Sequence, residues 1–402
     1  MNRRFLYADR LFPVYRPSIQ EGILVMDASG RIIEVVDPIE DTIKYDTLLR
    51  HPDLERFHGA LVPGFINAHC HLELSHLKGR IPEGTGLPGF LRSVTGIRDV
   101  PEDIVLEAMI KADRSMHEEG IVGVGDISNR EDSLQVKKSS SIRYHTFVEV
   151  FDLDPSQAEL RFESGSRLVQ RFRESRMEAS LSPHATYTVS HKLFSLIAAE
   201  AQVHDMPVTV HNQETISEDD FFLTGTGALG DFLRGTGKYD SWIPSGRTAL
   251  RTTMAHLMGY PRTMLVHNTF TSDTDLAWAL EKYPTLFWCL CPKANRYIES
   301  RLPSAGQFVG TGARLAIGTD SLASNDRLSL LDEVEELLMA DASLSFEQLL
   351  PAMTIHPASF LGWENEVGDF KSGKAPGIVH LKFSDNRKCG FSLGRMIVNT
   401  MR

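Results

Sequence analysis

Two histidines, His69 and His71, stand one residue apart in "FINAHCHLELSHLKG" (residues 65–79), and His76 follows them. Alternate residues of a strand project to the same face, so this pair can present two imidazoles together. A His-x-His pair on a solvated face does no chemistry, and the chain has fifteen histidines. The flanking run "LVPGFINA" is almost wholly apolar, the mark of a strand buried on both faces, as in parallel sheets. Two imidazoles at the end of such a strand are ready metal ligands. Other polar residues end comparable apolar runs: His184 in "SLSPHA", His211 and Glu214 in "HNQE", His267 in "LVHN" and Asp320 in "GTDS". Any one of them can serve as a local cap. Five histidines and two acids at equivalent strand ends would need several coincidences.

The chemistry follows from the residue types. Neutral imidazoles and a carboxylate suit zinc, and a catalytic zinc site keeps one position open for water. A bound dication lowers the pKa of water to roughly 7. A second acid must then carry protons to the leaving group. Glu214 lies three residues past His211, where the chain has left its strand, so it can face a substrate. His267, on the next strand, is placed to hold the attacking water.

The elements that must position these residues alternate. β-rich runs occur at 60–71, 120–128, 142–150, 177–185, 206–214, 263–270, 285–292 and 314–321. Helical patterns lie between them. "PEDIVLEAMIKADRSMHEEG" carries Ile104, Ala108, Ala112 and Met116 at i, i+4 spacing, acids in its first turn and Gly120 as its stop. Ser190 is placed as an N-cap for "HKLFSLIAAEAQVHD". Eight strands alternating with helices predict an α/β fold, a (β/α)8 TIM barrel over residues 59–360. The termini, 1–58 and 361–402, hold short apolar runs without helices and predict one small β-sandwich domain. Residues 215–262 are a candidate lid over the barrel mouth.

Net charge is −11, from 42 basic and 53 acidic residues, with no long single-sign block. That argues against nucleic acid or an anionic membrane as the main partner, since both need a positive patch; a small-molecule substrate is expected from the site chemistry instead. No apolar run reaches the length of a membrane span, and the start "MNRRFLYADRLF" lacks the apolar core of a secretory signal. Cys70, Cys289, Cys291 and Cys389 form no paired set and read as buried thiols of a cytoplasmic protein. Assembly into a homo-oligomer is left open.

In order and in strand context, "PGFINAHCH", "HNQE", "VHN", "CPKAN" and "GTDSLASN" resemble the amidohydrolase superfamily, in its cytosine and adenosine-type deaminase branch. The resemblance spans nearly the whole chain. It implies His69, His71, His211 and Asp320 as ligands of one divalent ion, Zn2+ or else Fe2+ or Mn2+. It implies Glu214 as proton shuttle, His267 as the residue that orients water, and Asp320 as general base on that water. His184, in "SPHATYTVS", matches a segment that contacts the substrate in nucleoside-deaminating relatives.

Two-metal members of the superfamily use a carboxylated lysine on the fourth strand. "MEASLSPHA" has none, which favours one ion, with Glu149 as the remaining candidate ligand of a second. The tail "GKAPGIVHL" also lacks the acidic residue usual there. "HCHLELS" with "CPKANRYIE" most resembles aminofutalosine deaminases of the alternative menaquinone route. Glu73 and Arg296 carry that finer match as substrate-binding residues, Arg296 as a two-pronged partner for the substrate's benzoate. Their bland readings are a salt bridge at the barrel mouth and a solvated surface charge.

The expectation is a hydrolytic deaminase of a 6-aminopurine nucleoside. The alternatives are a guanine or cytosine deaminase, or a ring-opening hydrolase of the imidazolone or hydantoin kind. A non-catalytic barrel kept for binding would show a lost ligand or a lost Glu214, and neither is lost.

Overall fold

The computed structural model describes residues 3–97, 100–237, 239 and 243–398. Five strands come first: β1 (Arg3–Leu11), β2 (Ile19–Gln20), β3 (Ile23–Asp27), β4 (Ile32–Val36) and β5 (Leu54–Pro63). The eight apolar runs then supply β6 (Phe65–Cys70), β7 (Ile121–Ser128), β8 (Arg143–Val150), β9 (Glu178–Pro183), β10 (Pro207–Asn212), β11 (Arg262–His267), β12 (Phe287–Leu290) and β13 (Arg314–Ile317). The last two are β14 (Ile378–Phe383) and β15 (Phe391–Val398).

The strands β6 to β9 form one parallel sheet in sequence order, and β10 to β13 a second. Parallel bridges join Ala185 to His211 and Cys70 to Asp320, where the edges of the two sheets meet. There His211 N donates to His184 O at 2.9 Å, and Thr319 N and Asp320 N donate to His69 O at 3.0 and 3.1 Å. Both junctions therefore lie at the strand ends that carry the candidate ligands. Gly318 makes one of them: a Cβ on it would sit 2.7 Å from His69 Cβ. A side chain there would push β13 away from β6.

Helices alternate with these strands as the pattern requires. His191–His204 starts at Ser190, whose side chain accepts from Leu193 N. Asp273–Lys282 and Leu330–Ala340 fall on the other two expected patterns. Glu102–Glu118 has the expected first-turn acids but buries Met109, Ala112 and Met116, with Ile104 43 % exposed. A 3.6-residue period admits either of two adjacent stripes, and packing selected the one that includes Met109.

The termini join in one seven-stranded sheet ordered β15-β14-β5-β1-β3-β4, with β2 paired to β1. Alternation along β1 sends Phe5 and Tyr7 toward Tyr45 of the helix Thr42–Leu49. Leu6 and Ala8 go to the opposite face, with Leu61 and Phe370. The hydrogen bonds link all terminal strands in a single sheet, and β5 crosses the expected boundary at 58/59. The first apolar run is also two strands, divided at Gly64, where a Cβ would lie 2.6 Å from Val122 Cγ1 and 2.8 Å from Pro376 O. The four cysteines are buried and free. Among the described residues no helix is long and apolar enough to cross a membrane.

Candidate metal centre and active site

The side chains at the strand ends converge. His71 Nε2 is 3.1 Å from His69 Nε2 and 3.4 Å from His211 Nε2. Asp320 Oδ1 is 3.6 Å from His69 Nε2 and 3.4 Å from His71 Nε2. A backbone carbonyl only accepts, so the 2.9 Å contact from His211 Nδ1 to His184 O puts the His211 proton on Nδ1. Its Nε2 is then a lone pair facing the cluster. Ser324 Oγ donates to Asp320 Oδ2 at 2.5 Å, which turns Oδ1 toward the imidazoles.

Burial pushes His71 down to about 3, against the pull of Asp320, and holds His211 well below the ordinary histidine value. At Asp320, burial works upward, but a hydrogen bond from His69 and the neighbouring His71 and His267 imidazoles hold the carboxyl well below the usual range. His71 and His211, their values depressed by burial, thus offer neutral imidazoles beside that carboxylate. This N/O donor set fits a divalent ion.

Glu149, His184 and His211 form a second grouping of potential ligands. There Glu149 Oε1 faces His211 Nδ1 at 3.5 Å. That nitrogen bears the proton given to His184 O, so it has no lone pair for a second ion.

The backbone is strained at this end of the strands. Gln213, His267, Asn268 and Asp320 have φ of 48°, 78°, 51° and 55°, the left-handed region that non-glycine residues avoid. The strain is held by hydrogen bonds. Asn268 Nδ2 donates to Leu265 O at 2.8 Å and Cys289 O at 3.1 Å.

Glu214 Oε2 is 3.7 Å from His267 Nε2. Burial first, then the nearby charges of Asp320 and Glu218, hold the Glu214 carboxyl well above its ordinary value. Asn295 Oδ1 accepts from His267 Nδ1 at 3.2 Å, which leaves Nε2 as the lone pair beside Glu214. Glu218 accepts the backbone N–H groups of Gln213, Glu214 and Thr215 at 2.9, 2.7 and 3.3 Å. It fixes the loop that presents Glu214.

Three of these residues escaped the sequence reading: Asn295, Ser324 and Glu218. Glu218 had a signal, the T-x-x-E spacing from Thr215 that marks a helix start.

The remaining candidates separate. His184 lies beside the cluster, its ring tilted against that of His211 at 4.8 Å, with Nδ1 2.8 Å from Thr188 Oγ1. Glu73 accepts from Asn129 N at 3.0 Å, and burial raises its carboxyl to about 8. Among the described residues no ion pair forms to Glu73, so it is not the salt bridge of the bland reading. Arg296 is not brought to the cluster. Its guanidinium is half exposed and paired with Glu336 of the helix Leu330–Ala340, while the adjacent Asn295 faces inward. One step of about 100° around a helix separates those two directions.

Residues 215–262 carry the helices Ser217–Thr224, Gly227–Arg234 and Ala249–His256. Phe221, Phe222 and Leu229 pack with Leu77, Phe90 and Ile298 in an apolar cluster separate from those of the parallel sheets. These contacts tie the candidate lid to the segments that follow β6 and β12.

The sequence profile of the amidohydrolase family matches residues 60–397. The chain belongs to the amidohydrolase family. Among its relatives, an adenosine deaminase of Helicobacter pylori is 25 % identical over 360 residues, covering 88 % of this chain and 86 % of the relative. An aminodeoxyfutalosine deaminase of Deinococcus radiodurans is 27 % identical over 334 residues, covering 76 % and 75 %.

Two solved structures share this amidohydrolase's fold. One is the Helicobacter pylori aminofutalosine deaminase in complex with methylthio-coformycin, with a TM-score of 0.81, 22 % identity and 99 % of each chain covered. The other is a zinc-bound adenosine deaminase from Xanthomonas campestris, with a TM-score of 0.74, 20 % identity, and 99 % of this chain and 93 % of that one covered.

Proposed function

We propose that this amidohydrolase is a metal-dependent hydrolytic deaminase that releases ammonia from a 6-aminopurine nucleoside. One observation carries the reading: a buried carboxyl, Glu214, stands 3.7 Å from His267 Nε2, and His267 itself joins His69 and Asp320 in the ligand cluster. Deamination needs a group that protonates the ring nitrogen beside the carbon under attack. Burial raises the Glu214 carboxyl, which favours the protonated form that this role needs.

In this reading His69, His71, His211 and Asp320 hold one divalent ion. Zinc suits the donor set, which also accepts Fe2+ or Mn2+. When bound, the ion supplies acidification of water, from a pKa of 15.7 to roughly 7. The chain does the rest. His267 Nε2, its lone pair fixed by Asn295, orients the water. The Asp320 carboxylate takes the water's proton. Glu214 Oε2 gives its proton to the ring nitrogen, relays the proton held by Asp320 to the departing amine, and regains one from the added hydroxyl as the carbonyl forms. His184 and Glu73 contact the nucleoside on the side of the cluster facing β8 and β9.

The two parallel sheets close as a (β/α)8 barrel over 59–360, supported by the bridges at both junctions. The terminal strands make a small β domain beside the barrel, with β5 running on toward it. Four buried free cysteines support a cytoplasmic setting.

Aminofutalosine is the proposed substrate, with methylthioadenosine and S-adenosylhomocysteine as weaker ones. The relatives acting on aminodeoxyfutalosine and adenosine support this class, as does the methylthio-coformycin held by the solved neighbour. The test is ammonia release from these nucleosides, with adenosine, guanine, cytosine and hydantoin as comparisons. A preference for guanine or cytosine, or ring opening of hydantoin without ammonia, would overturn the reading.

Two further outcomes are expected. Elemental analysis should give close to one equivalent of divalent ion, unchanged in Glu149→Gln, because His211 Nδ1 is spent on His184 O. Two stoichiometric equivalents would overturn this. Arg296→Met should leave the ratio of kcat/KM for aminofutalosine and adenosine within about twofold of wild type, the range of an exposed ion pair. A selective loss on aminofutalosine would return Arg296 to the substrate.

A further inference from the structure

A fully buried ion pair lies behind the ligand cluster and takes no part in the chemistry above. Asp126, on β7, is paired in register with Cys70 at the end of β6. Its Oδ2 is 2.6 Å from Lys137 Nζ, and both side chains are wholly buried. Lys137 lies on the helix Leu134–Ser139 and also donates to Ser128 Oγ at 2.9 Å and Thr146 Oγ1 at 3.0 Å. Its ammonium lies 5.6 Å from the Tyr144 ring centre and 5.1 Å from that of Phe172. A pair so fully withdrawn from water gains little net stability over apolar residues of the same size. Its presence calls for another reason.

The other oxygen gives that reason. Asp126 Oδ1 accepts from Leu72 N at 2.8 Å, the first backbone N–H after His71. His71 needs such an anchor more than its neighbours do. His69 is inside β6, and His211 is inside β10 with its ring pinned to His184 O. His71 lies past the end of β6, at φ −121° and ψ 79°, between the strand and the 3-10 helix Leu72–Leu77. Its own N–H makes only a long contact, 3.4 Å, to Asp320 O.

We infer that Asp126 and Lys137 are positioning residues for the metal ligand His71. Lys137 fixes Asp126 through Oδ2, and Asp126 fixes the backbone that follows His71 through Oδ1. The inference rests on the metal centre proposed above and goes beyond it by naming what holds the ligand outside the strands.

The test is zinc affinity, measured by competition with a chromophoric chelator and without substrate. Two double variants separate the anchor from the charge. Asp126→Leu with Lys137→Met keeps the volume and removes the acceptor. Asp126→Asn with Lys137→Gln removes both charges but keeps an oxygen for Leu72 N. Changes behind a first ligand typically weaken metal binding by about 10–100-fold, and that loss is expected in the apolar pair. The amide pair should stay within about threefold of wild type, below that range.

Equal zinc affinity in wild type and both variants would overturn the inference, as would equal losses in the two variants. Wild-type protein that binds no zinc would instead sink the metal centre itself. A second measurement needs no variant. In zinc-free wild type, the Leu72 amide should exchange slowly with solvent, and fast exchange there would show that the anchor is not preformed.

Discussion

Replacing Glu214 with glutamine is expected to lower turnover by about 10²–10⁴-fold while the metal content stays unchanged. The side chain keeps its length, and the loop keeps its shape, because Glu218 binds the backbone N–H of residue 214 whatever its side chain. What disappears is the proton. An amide next to His267 Nε2 can donate a hydrogen bond but cannot transfer a proton to a ring nitrogen or a leaving amine. Metal content should hold, because the converging nitrogens belong to His69, His71 and His211, with Asp320 beside them. The readouts are kcat for ammonia release and zinc per chain by elemental analysis. Loss of the ion in Glu214→Gln would make Glu214 a ligand and undo the division of roles. Unchanged turnover would remove it from the chemistry.

Much of the site could be read in the sequence, because each candidate ligand lies at or near the end of an apolar run. A strand buried on both faces must be apolar along its length, so a histidine or aspartate near or just past its end stands out. His69, His211, His267 and Asp320 were all visible this way, and the helix start at Ser190 was visible from its hydroxyl. The supports were less visible because their meaning depends on partners far away in the chain. Asn295 and Arg296 are neighbours in "CPKANRY", and sequence favoured the charged one. The turn of one helix decided otherwise, sending Asn295 to His267 and Arg296 to Glu336. Lys137 reads as an ordinary surface lysine in "QVKKSS". Only the pairing of β6 with β7 brings Asp126 beneath Leu72 and gives that lysine its partner. The break at Gly64 was hidden for the opposite reason. Both strands it divides are apolar, so periodicity runs through it, and only the approach of Val122 and Pro376 shows why glycine is there.

Stripping the metal should abolish ammonia release and lower Tm, and added zinc should restore both. The argument starts from the cluster itself. The Nε2 atoms of His69 and His211 lie 3.1 and 3.4 Å from that of His71, and Asp320 Oδ1 is 3.4 Å from it. Protonation cannot ease this crowding of acceptors near neutral pH, because burial holds His71 at about 3 and His211 well below the ordinary value. A divalent ion can, by accepting the lone pairs. The unfolded chain offers no such arrangement, so binding is linked to folding. At a free zinc concentration 1,000 times Kd, the linkage contributes about 4 kcal/mol. With the usual unfolding entropy per residue, that corresponds to a Tm change of about 5 °C for a chain of 402 residues that unfolds as one unit. His211→Ala removes a lone pair that β10 holds in place, so zinc should then restore neither activity nor Tm. The measurement is thermal unfolding and ammonia release for chelator-treated protein, with and without zinc, in wild type and His211→Ala. Full activity after complete removal of metal would end the metal-dependent reading. Equal zinc rescue in His211→Ala would take His211 out of the ligand set and leave His69, His71 and Asp320 to hold the ion.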